Sequence, residues 1–189
     1  MGEGNKKIMW ISGRCGYGKT EFANSIIQKF EGKNKKTCKL DVKDFIDFLI
    51  KNIKSQNPIE DVVSYFQDYS LLVLDNIDYG LLRMSITQKA MKETIHKITN
   101  NNKTTTILIS QKRARKVKKL KFNSNECSYL RLKAPSIDIK RSLIEGWSKK
   151  EGFNIPIEKI EEVINKSDNL FQLKGLFNKI KFSRKVKVN

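Results

Sequence analysis

"GRCGYGKT", residues 13–20, sets four residues between Gly13 and Gly18, directly ahead of a Lys19-Thr20 pair, the G-x-x-x-x-G-K-[ST] spacing of a phosphate loop. The stretch follows an apolar run, KIMWIS at 7–12, and precedes residues in which Phe22, Ile26 and Phe30 recur at helical spacing. It therefore joins a buried strand to an amphipathic helix. Glycines let the backbone turn tightly, so that successive N–H groups converge at a helix N-terminus, where orphan donors and the helix dipole both favour negative charge. The expected phosphate contacts are Gly13, Cys15, Gly16, Tyr17, Gly18, Lys19, Thr20 and Glu21. Lys19 reaches for the terminal phosphates, and Thr20 offers its hydroxyl to Mg²⁺.

Outward from this loop, short wholly apolar runs, LLVLD at 71–75 and TTILIS at 105–110, alternate with helix-period stretches. That alternation predicts an α/β fold with a mainly parallel sheet, whose strands are buried on both faces. Phe45, Leu49 and Ile53, with Ile46 and Ile50 alongside, mark one core-facing helix; Met91, Ile95 and Ile98 mark another. From about Pro135 the strand signals stop and three helical patterns follow: Ile139, Leu143 and Trp147; Ile157, Ile160 and Ile164 after Pro156; and Leu170, Leu173, Phe177 and Ile180. The expected organisation is a phosphate-loop core over 1–134, a helical lid over 135–183 and a basic tail over 184–189. Trp10 and Trp147 read as packing residues, and the sole histidine, His96, as a surface residue.

Composition narrows the setting. The three cysteines, Cys15, Cys38 and Cys127, are odd in number and widely spaced, which argues against a zinc site and against secretion and suits a reducing cytoplasm. No run approaches the roughly 18 apolar residues of a membrane span, and IMWI is too short for a signal-peptide core. A net charge of +18 and a pI near 9.8 attract polyanions, nucleic acid before membrane. The abundance of Lys, Asn and Ile throughout offers a second explanation, a compositional bias.

Hydrolysis in a phosphate-loop fold needs a carboxylate at the end of a buried strand to hold the metal, and LLVLD supplies Asp75, with Thr20 as its companion. The next position, Asn76, is where a second acid would polarise the attacking water, and an amide cannot take a proton. Asp78 reads as a turn or N-cap residue, with a substitute acid as the alternative.

The order of these features resembles the AAA+ ATPases, and within them the DnaA group of replication initiators with its shorter relative Hda. GRCGYGKT matches Walker A, LLVLDNID Walker B, TTILISQKR the sensor 1 strand, and DNLFQLKGLFNKI the sensor 2 helix. The resemblance implies a five-stranded parallel sheet of AAA+ order with a three-helix lid, and ATP or ADP with Mg²⁺ between them. It places sensor 1 on Ser110 or Gln111. At the sensor 2 position, where the family has arginine, this chain has Phe171, and the arginine-finger segment NSNEC offers Asn123 or Asn125 instead. Together with Asn76, these losses fall on transition-state electrostatics, so binding is expected to survive where turnover does not.

The lid pattern is not followed by a helix-turn-helix, so a sequence-specific initiator role is not expected. The resemblance implies instead a regulator of replication initiation whose partner is a DnaA-type initiator or another AAA+ subunit. It also implies a sliding-clamp contact, yet MGEGNKKIMW lacks the glutamine with aromatic or leucine residues that would carry it. KRARKVKKLK, 112–121, reads as a helix with Ala114, Val117 and Leu120 inward, leaving Lys112, Arg113, Arg115, Lys116, Lys118, Lys119 and Lys121 free to grip single-stranded DNA non-specifically. A solvated lysine-rich face, a DnaC-like loader and a phosphate-loop small-molecule kinase are the alternatives.

Overall fold

The computed structural model describes residues 7–56, 58–80, 82–100, 103–113 and 122–186, the last three of these without their side chains. Five short strands, β1 (Ile8–Ser12), β2 (Thr37–Asp41), β3 (Leu71–Asp75), β4 (Thr105–Ser110) and β5 (Cys127–Arg131), lie in one parallel sheet in the order β2-β3-β4-β1-β5. The helices are α1 (Lys19–Glu31), α2 (Val42–Lys54), α3 (Ile59–Gln67), α4 (Ile77–Gly80), α5 (Ser85–Asn100), α6 (Ile137–Lys150), α7 (Ile157–Asn165) and α8 (Leu170–Val186).

The all-apolar strands have a simple cause. Leu72 and Leu74 of β3 face a core shared with Phe45, Ile46 and Leu49 of α2, Phe66 of α3 and Met91, Ile95 and Ile98 of α5. Leu71 and Val73 face the opposite side, with Ala23, Ile26, Ile27 and Phe30 of α1. With period-2 alternation and helices on both faces, every position must be apolar. Register then brings particular residues level at the C-terminal ends of the strands: Ser12 of β1 pairs with Ser110 and Arg131, and Asp41 of β2 pairs with Asp75 of β3. Ligands of open α/β sheets bind beyond that edge.

The chain divides into two compact units. The first holds β1 to Gly13 and then Lys19–Leu132; the second holds the loop residues Arg14–Gly18 and the chain from Lys133 onward. In the second, α6, α7 and α8 close around Ile144, Ile160, Val163, Ile164, Leu173 and Phe177. Trp147 and Phe153 pack on the Phe177 ring, and the Lys174 ammonium lies 4.1 Å from the Trp147 ring centre.

Four residues expected in core stripes are exposed: Phe22, Ile53, Ile139 and Ile157. Each ends its stripe, and at 3.6 residues per turn a step of four drifts by about 40°, and the step of three from Ile157 to Ile160 by about 60° the other way, which carries end members off the buried face. Trp10 is buried as expected. Helix α8 runs through Val186, three residues into the expected basic tail. Among the described residues no helix is long and apolar enough to cross a membrane.

Candidate functional site

Gly16 and Gly18 sit at φ of 76° and 82°, left-handed backbone that only glycine adopts without strain. Space as well as backbone forbids a side chain at Gly16: a Cβ there would stand 2.8 Å from Asn169 Oδ1. The start of α8 shapes this turn. Leu170 N–H donates to the Gly16 carbonyl at 2.9 Å, and Asn169 Oδ1 caps the helix by accepting from Phe171 N–H at 3.0 Å and Gln172 N–H at 3.1 Å. Gln172 Oε1 reaches back to Asp168 N–H at 2.7 Å, a near capping box. Asn169 escaped the sequence reading, although an asparagine three residues before a glutamine is a helix-start signal. Cys15 is exposed and Tyr17 half-buried.

In the first unit, Lys19 Nζ donates to the Gly13 carbonyl at 2.8 Å, which holds the ammonium at the first residue of the motif. One residue on, Thr20 Oγ1 donates to Asp75 Oδ2 at 3.3 Å. A hydroxyl and a carboxylate so placed are hard oxygen donors of the kind Mg²⁺ takes, alongside waters and substrate phosphates. Thr20 and Asp75 would hold such an ion, and the ion, when bound, would neutralise charge on phosphate oxygens. Glu21 is exposed in the first turn of α1, where the helix dipole favours an acid.

Asn76 has a φ of 56°, and its side chain points to β2. Its Nδ2 donates to Asp41 Oδ2 at 2.6 Å, while its backbone N–H donates to Asp75 Oδ1 at 2.8 Å. Asp41 went unnoticed in the sequence because β2, TCKLD, is a half-buried edge strand without an apolar run.

Asp78 is neither a simple turn residue nor an acid standing free. One carboxylate oxygen lies 2.9 Å from Ser110 Oγ, and the other accepts the Gln111 N–H. Lys112 N–H donates to Ser110 Oγ at 2.9 Å. The end of β4 is thus folded around Asp78, with the Ser110 hydroxyl buried and engaged and the Gln111 side chain exposed. Asp41, Lys43, Asn76, Asp78, Tyr79 and Gln111 border an open hollow of about 500 Å³.

Phe171 stands in the first turn of α8 with 69% of its surface exposed. Asn123 and Asn125 are exposed in the turn before β5. Lys112 and Arg113 are not helical as expected, because Asp78 and the Trp10 indole, whose Nε1 donates to the Lys112 carbonyl at 3.4 Å, hold this backbone in a bend. Arg115, Lys116, Lys118, Lys119 and Lys121 lie outside the described residues. His96 lies at the surface as expected, its side chain 40% exposed, and is engaged there: its Nε2 is 3.0 Å from Glu126 Oε1, and this bond holds the Glu126 carboxyl below the usual range.

No family model and no curated protein matches the sequence. Solved structures do match the fold. Domain III of the replication initiation protein DnaA from Thermotoga maritima superposes with a TM-score of 0.80 at 18% identity, over 98% of this chain and 80% of that one. A replication initiator DnaA bound to AMPPCP and single-stranded DNA gives a TM-score of 0.75 at 17% identity, over 94% of this chain and 56% of that one. The DnaC helicase loader follows at a TM-score of 0.53 and 22% identity, over 70% and 82%. The fold is an α/β fold with a five-stranded parallel sheet, matching that of these AAA+ domains.

Proposed function

We propose that this chain, with the AAA+ fold of the DnaA initiators, is a cytoplasmic Mg²⁺-nucleotide-binding protein that acts in or regulates replication initiation through protein contacts, with weak or absent ATP hydrolysis of its own. The observation that carries the reading is the pairing of Thr20 Oγ1 with Asp75 Oδ2 at 3.3 Å beside Lys19. A hydroxyl and a carboxylate this close, one residue beyond Lys19, support the reading as a pair of hard oxygen donors for a metal ion. The weak-hydrolysis half rests on Asn76, whose amide neither accepts a proton nor faces away from Asp41, and on Phe171, which carries no guanidinium. An arginine supplied in trans is worth about 10³–10⁵ in rate, so a partner AAA+ subunit is the natural source of what this chain lacks.

Support for the replication setting comes from the neighbours, one of which is a DnaA with AMPPCP and single-stranded DNA. That neighbour and the net charge of +18 support a second reading, a single-stranded-DNA-binding module in which nucleotide is the switch.

Titration calorimetry of the full chain with Mg²⁺ and ATP or ADP tests the first reading. Heat of binding that disappears in Lys19→Ala is expected. Absence of heat with either nucleotide overturns the proposal, and brisk ATP turnover by the isolated protein overturns its weak-hydrolysis half.

A further inference from the structure

Helix α6 ends on a closed turn. Phe153 N–H donates to the Ser148 carbonyl at 3.1 Å and Gly152 N–H to the Lys149 carbonyl at 3.3 Å, with Gly152 at a φ of 71°. This is the Schellman arrangement, in which the residue at the place of Ser148 frequently makes an apolar contact with the one at the place of Phe153. Here that residue is a serine. Ser148 is 6% exposed, and its Oγ bonds nothing in the chain, not even the carbonyl one turn back that a helical serine can take. A buried hydroxyl left without a partner carries the full cost of its desolvation, and such groups are few in folded proteins.

A hollow of about 410 Å³ lies beside it, and Ser148 forms part of the wall. That volume is within the roughly 300–1,000 Å³ of small-molecule pockets. Phe153, Ile155 and Ile160 give the hollow apolar walls, while Glu145 and Lys149, both exposed, add charges of opposite sign. Gly152 borders it too, and nothing lies within 4 Å of where its Cβ would stand, so the space above the turn is open. Apolar walls, balanced charges and one unmet hydroxyl together suit an uncharged ring that carries a single hydroxyl of its own.

We propose that this hollow binds a phenol group, with the ring against Phe153, Ile155 and Ile160 and the hydroxyl on Ser148 Oγ. A free small phenol and the tyrosine side chain of a partner protein both present that group. Every residue of the site belongs to the second unit, so its test does not pass through nucleotide binding.

p-Cresol and p-xylene, which differ by a hydroxyl in place of a methyl, serve as probes. Each is titrated into the isotope-labelled full chain and into Ser148→Ala, with amide shifts and melting temperature as readouts. Both are expected to bind and to move the amides of residues 148–155. In Ser148→Ala the affinity for p-cresol relative to p-xylene is expected to fall about fivefold, the worth of one hydrogen bond. The unliganded variant should melt no lower than wild type, because it deletes an unpaired group. Failure of both probes to move these amides overturns the site, and an unchanged affinity ratio overturns the part given to Ser148. A Ser148→Ala protein that melts several degrees lower means that the hydroxyl is already bonded, to the chain or to a water, and overturns it as well. A blocked short peptide with tyrosine at its centre separates the sources: displacement of p-cresol assigns the group to a partner's side chain, and no displacement assigns it to a free phenol.

Discussion

Truncating Lys19 removes an ammonium held 2.8 Å from the Gly13 carbonyl, on a half-buried side chain. Lys19→Ala is expected to weaken Mg-ATP binding at least about 100-fold by calorimetry, since charge-assisted bonds to phosphate are among the stronger polar contacts. The melting temperature of the nucleotide-free protein should move little. Gly16→Ala acts in the opposite way. Its added methyl would lie 2.8 Å from Asn169 Oδ1 on backbone at φ 76°, so the fold itself is expected to lose about 1–3 kcal/mol in a denaturation experiment. A melting point unchanged by Gly16→Ala would show that the loop relaxes freely. Among site residues, those singled out by motif spacing are Lys19, whose Nζ lies on the Gly13 carbonyl, and Thr20 and Asp75, whose side chains lie 3.3 Å apart. Asp41, Asp78 and Asn169 were not, because their roles depend on which strand or helix end lies beside them, and neither sheet order nor register is written in local spacing.

Helix α8 offers two substitutions of opposite sign. Asn169 Oδ1 caps the helix through two N–H groups, and Asn169→Ala is expected to cost about 1 kcal/mol. Gly175, in the middle of the same helix, has nothing within 4 Å of where a Cβ would sit, so Gly175→Ala should stabilise by about 0.5–1 kcal/mol. Thermal melts of the two variants check both signs, and a destabilising Gly175→Ala would mean the position is in contact with something else. A third test concerns α5 and the turn before β5, joined by His96 and Glu126. The Glu126 carboxyl lies below its usual range chiefly through the His96 bond, helped by the Asn123 N–H and opposed by burial. A depressed acid lends stability above its unfolded pKa and loses it as pH falls through the folded one. The melting gap between wild type and His96→Ala should therefore persist at neutral pH and close as the pH drops below about 4. It will be small, because both side chains are more than a third exposed. These elements differ in how plainly the sequence announced them. β1, β3 and β4 are central strands covered on both faces, so their apolar runs stood out. β2 and β5 are edge strands with mixed side chains, TCKLD and CSYLR, and α3 packs Val62, Val63 and Phe66 in a span too short to display a period.

Charge is the property that belongs to the protein as a whole, and +18 over 189 residues can be either a ligand surface or a bias of composition. Salt decides between them. Binding that neutralises phosphates releases counterions, so log K falls linearly with log salt with a slope of about −0.7 per phosphate contacted on a single strand. If five of the seven basic residues of 112–121 engage phosphates, the slope is about −3.5, and affinity for an oligonucleotide falls roughly 100-fold between 50 and 200 mM salt. Replacing Lys112 and Arg113 by alanine should then flatten the slope by about 1.4 without introducing any base preference. Fluorescence anisotropy with a labelled single strand, repeated with and without Mg-ATP, makes the measurement. A shallow slope, or one that the double substitution leaves unchanged, assigns the charge to composition. Any DNA contact would then lie elsewhere. A steep slope that also responds to nucleotide would tie the basic segment to the folded end of β4, where Asp78 accepts from both Ser110 Oγ and the Gln111 N–H and so links the start of α4 with the chain that leads into this segment.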